Sequence, residues 1–150
     1  MSLLEEYISC RSLSESICAP IKNRHFSTQV VTFASPTKWH LAHTTWFFEE
    51  MILKEQNGYE KFNETFSYLF NSYYNSIGER ISQDSRGGIT SSMEEVYAYR
   101  KHVNEGMVNL LSETSVDSVS DHVKKLAETG INHEQQHQEL MYTDLKITLY

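Results

Sequence analysis

Apolar residues recur at helical spacing in four stretches of the chain. In the first, Leu3, Leu4, Tyr7, Ile8, Leu13 and Ile17 approximate one face of a helix that Pro20 should stop. In the second, Ser35 is placed to act as N-cap and Pro36 as the first helical residue, where its missing N–H costs nothing. That helix should carry Trp39, Ala42, His43, Trp46, Phe47, Glu50 and Leu53, and end at Asn57-Gly58. A third should begin after Ser91-Ser92, with Ser92-x-x-Glu95 as a capping box and Val96, Tyr99, Val103, Met107, Leu110 and Leu111 as its apolar stripe. The fourth should start near Ser115 to Ser118 and run to about Leu149, burying Val119, Val123, Leu126, Ala127, Ile131, Leu140, Met141, Leu145 and Leu149. Gly130 interrupts it, at a cost of about 1 kcal/mol relative to Ala, and either admits a close neighbour or marks a break.

Between the second and third helices lie residues 58–90. They hold seven aromatics from Tyr59 to Tyr74, then a polar stretch ending in Arg86-Gly87-Gly88. Aromatic side chains need burial, so this long connection should lie against the helices, with short helical turns near 61–66 and 69–76. Four amphipathic helices and no strand pattern predict an all-α protein: a single-domain four-helix bundle, up-down, with a long connection between helices 2 and 3.

Composition narrows the function. The chain has 150 residues, 39% hydrophobic and 22% charged, within the range of ordinary globular domains. Its formal net charge is −7, and its 13 Lys and Arg form no basic patch, which argues against a nucleic-acid partner. No apolar run approaches the ~20 residues of a membrane span, and the N-terminus, with Glu5 and Glu6, does not read as a signal peptide. Cys10 and Cys18, eight apart, suggest small apolar core residues rather than a disulfide framework. A cytoplasmic location is the expectation.

The chemistry is carried by histidines. His133-Glu134-Gln135-Gln136-His137 places two imidazoles at i and i+4, about 40° apart on a helix and one turn removed, so both can reach one ion. The same string matches the zinc-protease motif H-E-x-x-H, with Glu134 as base. That motif lacks its third ligand here: Leu140 and Thr143 stand where its extended form needs Gly and His, and only 13 residues follow His137. A third ligand is available from Trp39-His40-Leu41-Ala42-His43. His43 shares a stripe with Trp39, Trp46 and Glu50, whereas His40 falls on the flank, as a surface residue or one that orients a ligand. Three imidazoles leave open coordination positions, as catalytic metal sites do, and suit Fe(II), Zn(II), Ni(II) or Cu(II). Glu50, Glu134 and Glu139 are placed to orient the imidazoles, although solvent-exposed carboxylates are the simpler reading of each.

Three ordered motifs carry a resemblance: the segment from Trp39 to Glu49 (WHLAHTTWFFE), the segment from Tyr68 to Asn75 (YLFNSYYN), and HEQQHQEL from His133 to Leu140 with Thr143-Asp144. They resemble the N-terminal domain of the ergothioneine-biosynthesis sulfoxide synthases, a domain of the DinB-like (YfiT-like) superfamily of four-helix bundles. The resemblance implies a non-haem Fe(II) held by His43, His133 and His137. It also implies a reaction joining a thiol, cysteine or γ-glutamylcysteine, to C2 of trimethylhistidine with O₂ and oxidising the sulfur. By the same resemblance Gln136 lies near the imidazole substrate, and Arg80 and Arg86 are the candidates for the thiol substrate's carboxylate, which a guanidinium fork suits. No residue of this chain is assigned as catalytic. The family's enzymes continue into a domain resembling the formylglycine-generating enzymes, which supplies a catalytic tyrosine and much of the substrate pocket. That domain is not in these 150 residues, so the expectation is half an active site, or a stand-alone product that borrows the metal site. Other readings are a zinc- or nickel-dependent thiol transferase of the same superfamily, and a non-enzymatic metal-stabilised dimer or interaction module.

Overall fold

The computed structural model describes residues 1–71, 82–112 and 119–150, and every regular element among them is helical. In chain order these are α1 (Leu3–Cys18), α2 (Asn23–Phe26), α3 (Thr37–Met51), a 3₁₀ turn (Leu53–Glu55), α4 (Phe66–Leu69), a second 3₁₀ turn (Gln83–Gly88), α5 (Met93–Leu111) and α6 (Asp121–Leu149). The long helices pack as a bundle, α1 against α6 and α3 against α1, α5 and α6. No helix among the described residues is long and apolar enough to cross a membrane.

Local signals account for the helix ends. Ser2 caps α1 through a capping box with Glu5, Ser92 caps α5 by accepting from the Glu95 N–H, and Ser120 caps α6 by accepting from the Val123 N–H. The expected start of the fourth helix, Ser115 to Ser118, lies outside the described residues. The second helix departs from expectation at both ends. Pro36 rather than Ser35 is the N-cap, because the Ser35 hydroxyl is taken by the Arg86 guanidinium. The α-helix ends at Met51 and a 3₁₀ turn carries the chain on to Gly58, whose φ of 79° is the left-handed conformation open to glycine. The short α2 has no counterpart in the apolar pattern. The helical turns expected near 61–66 and 69–76 are not found as placed: α4 falls between them at Phe66–Leu69, and most of 69–76 lies outside the described residues.

α3 is not a half-exposed amphipathic helix. Every residue from Thr37 to Glu50 is buried, polar ones included, because α1, α5 and α6 cover three sides and the 53–71 and 82–91 segments cover the fourth. The charged side chains and histidines of α3 are therefore paired, as burial demands. Lys38 Nζ donates to the Ile89 carbonyl, and burial lowers its pKa. Glu49 accepts from the Tyr59 and Tyr99 hydroxyls at 2.5 and 3.1 Å. Glu50, read as an exposed carboxylate or a ligand orienter, is neither. It is buried and accepts from Lys54, Lys61 and Ser67, and these three outweigh burial to hold its pKa below the usual range. These bonds fix the aromatic connection onto α3, where Phe66 and Phe70 pack against Tyr99.

The apolar stripes are mostly core: Tyr7, Val96, Tyr99, Val103, Met107, Ala127, Ile131 and Met141 are buried, as are Cys10 and Cys18, both free thiols. Ile8, Leu13, Leu140 and Leu149 are exposed instead, at 41–50%. Ile8 and Leu13 lie at the margins of the face that α1 turns to α6. Gly130 marks no break, since α6 runs unbroken through it. It admits a close neighbour: a Cβ there would lie 2.5 Å from Phe48 Cε1 and 3.0 Å from Phe47 Cδ1. Gly130→Ala should therefore lose about 1–3 kcal/mol to overpacking, more than the ~1 kcal/mol that alanine gains in helix propensity. A urea unfolding midpoint below wild type is the expected result.

Candidate metal centre

Three side chains expected to meet do meet. His43 projects from α3, and His133 and His137 from α6, with ligand atoms within 4.8 Å of one another. The ring centroids form a near-regular triangle: 4.9 Å for His43–His133, 4.9 Å for His43–His137 and 4.6 Å for His133–His137. Among the described residues no carboxylate belongs to the cluster.

His43 is held on three sides. Its ring lies between the indoles of Trp39 and Trp46, stacked at 4.4 and 5.5 Å, and its Nδ1 donates to the Phe70 carbonyl at 2.6 Å. A carbonyl can only accept, so the hydrogen is on Nδ1 and Nε2 carries the lone pair. That lone pair faces His133 Nε2 at 3.2 Å. His133 Nδ1 is buried without a partner among the described residues. His137 Nδ1 is 2.9 Å from His40 Nδ1, and His40 Nε2 is 2.7 Å from Asp144 Oδ2. His40 is therefore neither a flank nor a surface residue: it is buried and touches a candidate ligand.

The electrostatics suit a cation. Burial, followed by the neighbouring His133, holds the His43 pKa well below that of an ordinary histidine. Burial, then His43 and His40, does the same to His137. Burial lowers His133 to about 4, opposed by the charge of Glu134. All three rings are neutral at neutral pH, the form that binds metal. A divalent cation fits this donor set: His43 Nε2 and His133 Nε2 face each other at 3.2 Å, and a metal would take the lone pairs of both in place of the hydrogen bond between them.

The cluster opens into a cavity of about 540 Å³ whose lining includes Phe33, Trp39, Arg86, Gln136, Leu140 and Asp144. Of the expected substrate contacts, Gln136 is exposed at this cavity and Arg86 is buried beside it, its guanidinium 3.5 Å above the Trp39 ring centroid and donating to Ser35 Oγ at 2.7 Å. Arg80 lies outside the described residues. Leu140, expected in the core, instead lines the cavity, and Glu139 is exposed.

Glu134 overturns the exposed reading and is out of place for a protease base. It is fully buried on the other side of α6, where Arg11 Nη1 and Arg100 Nη2 donate to it at 2.9 and 3.0 Å and Ser14 at 2.6 Å. Burial works to raise its pKa, but Arg11 and Arg100 outweigh it and hold the carboxyl below its usual range. Neither arginine carried a motif. The signal for His40 and Asp144 was spacing: Asp144 follows His137 by seven residues, two turns along one face, and His40 precedes His43 by three.

No family model and no curated protein matches this chain.

Two predictions follow from these burials. Glu134→Gln leaves two buried arginines facing a neutral amide and should cost roughly 3–5 kcal/mol, read from urea unfolding. The second concerns pH in the metal-free protein. An unfolded His133 titrates near 6.5 and the folded one near 4, so between these values the unfolded chain binds the extra proton. Stability is then full above 6.5 and falls as pH drops toward 4, with His43 and His137 acting in the same direction. Urea midpoints at about pH 7.5 and about pH 5 should show a fall that His133→Asn reduces.

Proposed function

We propose that this chain is the metal-holding domain of an oxygen-dependent, thiol-using enzyme of the sulfoxide synthase type, built on the DinB-like four-helix arrangement. The observation that carries the reading is the three-histidine cluster opening into a cavity that also holds a buried arginine. Bound Fe(II) would supply the redox centre for O₂ and coordination positions for a thiol. The protein's part is to hold and orient. His43, His133 and His137 offer three neutral imidazoles and leave the remaining positions open. The Arg86 guanidinium, flat on Trp39, is a fixed cation suited to a substrate carboxylate. Gln136 offers an amide donor and acceptor at the same cavity. Arg80 joins this reading by resemblance alone. The tyrosine and the rest of the pocket belong to a second domain in enzymes of this type.

One observation favours a second reading. Among the described residues the cluster has no carboxylate, unlike the two-histidine, one-carboxylate set common in non-haem iron oxygenases, and three imidazoles equally suit Zn(II) or Ni(II). A thiol transferase would use such a metal to hold its substrate as thiolate.

Anaerobic Fe(II) titration followed by thiol and nitric oxide separates the two. The iron reading expects one Fe(II) per chain, an iron–nitrosyl EPR signal perturbed by the thiol, and loss of both in His43→Ala. Zinc or nickel retained through purification, with thiol alkylation proceeding under nitrogen, would replace it with the transferase.

A further inference from the structure

His40 and Asp144 lie beside the cluster without belonging to it, and the role argued for them rests on the metal-binding reading above. Both are buried, at 3% and 9% exposure. Asp144 Oδ2 accepts from the Ser35 backbone N–H at 3.0 Å and faces His40 Nε2 at 2.7 Å. A carboxylate oxygen only accepts, so the hydrogen of His40 is on Nε2. In the neutral form of His40 that is its one N–H, which leaves a lone pair on Nδ1. That lone pair faces His137 Nδ1 at 2.9 Å, so His137 must be the donor. The single hydrogen of His137 is then on Nδ1, and Nε2 is left with the free lone pair.

We propose that Asp144 and His40 are positioning residues that fix His137 as the Nδ1–H tautomer and so present its Nε2 to the metal. The relay runs from carboxylate to imidazole to ligand, the outer support that metal-bound histidines commonly have, extended by one ring. It also explains why a buried histidine and a buried carboxylate sit together at the edge of the cavity. The Phe70 carbonyl does the same for His43 in one step. His133 has no such support among the described residues.

The test reads tautomers directly. Long-range ¹H–¹⁵N spectra of the metal-free protein should show His40 as Nε2–H and His137 as Nδ1–H. Asp144→Asn keeps an oxygen that accepts from both Ser35 and His40, so it should preserve this pattern. Asp144→Leu keeps the volume but removes the acceptor, which should mix the tautomers of both rings. Zn(II) affinity, measured against a chromophoric chelator, should fall about 10–100-fold in Asp144→Leu and in His40→Phe, and much less in Asp144→Asn. A wild-type spectrum with His40 as Nδ1–H overturns the proposal and needs no variant to fold. So does equal loss of affinity in the Asn and Leu variants, which would mark Asp144 as structural only. A wild-type protein with the expected tautomers and no Zn(II) affinity would sink the metal reading and leave the relay intact. Zn(II) binding with the wrong tautomers would sink the relay alone.

Discussion

The carboxylate of Glu134 sits out of solvent between two guanidinium groups, and the bundle is organised around that contact. Arg11 comes from α1 and Arg100 from α5; Glu134 comes from α6; and α3 contributes the Thr45 hydroxyl and the Leu41 carbonyl that receive the remaining N–H groups. Asn104 and Glu15 take the two Nε hydrogens. Charges buried in this way add little net stability over a well-packed apolar core, because desolvation offsets most of the attraction. They are costly to disrupt, however, since each unpaired charge would remain in the interior. A slip of α6 by one residue would move Glu134 away from both arginines. The network therefore sets the register of α6 against the other three long helices.

That register places the histidine cluster. Successive residues on a helix point about 100° apart, so fixing Glu134 toward Arg11 and Arg100 turns His133 to the opposite flank, toward His43. His137 follows one turn later on the same side. The string that matches a zinc-protease motif is thus divided between two environments. Its histidines face a cavity, while its glutamate belongs to the interior of the bundle. A motif written in residue letters does not record which side of the helix each letter occupies. Here the partners of Glu134 decide it.

Much of this was legible in the sequence. The four long helices follow the apolar spacing, Ser92 caps the third of them as read, and the i, i+4 histidine pair with His43 survives as a cluster. What was not legible shares one physical cause: polar residues buried by partners distant in the chain. Nothing local in the sequence marks Arg11 and Arg100 as buried guanidinium groups. Glu50 and Glu134 read as solvated carboxylates for the same reason, and His40 as a flank residue because the helix carrying it was taken to have a solvent side. α3 has none. Once the connection after Met51 folds over it, its charged side chains and histidines must find partners, and those come from α5, α6 and the connecting segments on either side of α4 and before α5. The exposed Leu140 is the converse case, an apolar residue on a helical stripe that meets a cavity where the pattern implied core.

The three imidazoles are held to different degrees, and the difference follows from the elements that carry them. His43 is stacked between two indoles and tied to a carbonyl, on a helix buried from all sides. His137 is fixed through His40, which belongs to that same helix, so its orientation is also set from α3. His133 has the Phe47 ring at 5.1 Å and no hydrogen-bond partner for Nδ1 among the described residues. His43 and His137 are therefore each held by a group outside the cluster, and His133 only by its 3.2 Å contact with His43 Nε2. Preorganisation of the first two lowers the ordering cost of binding.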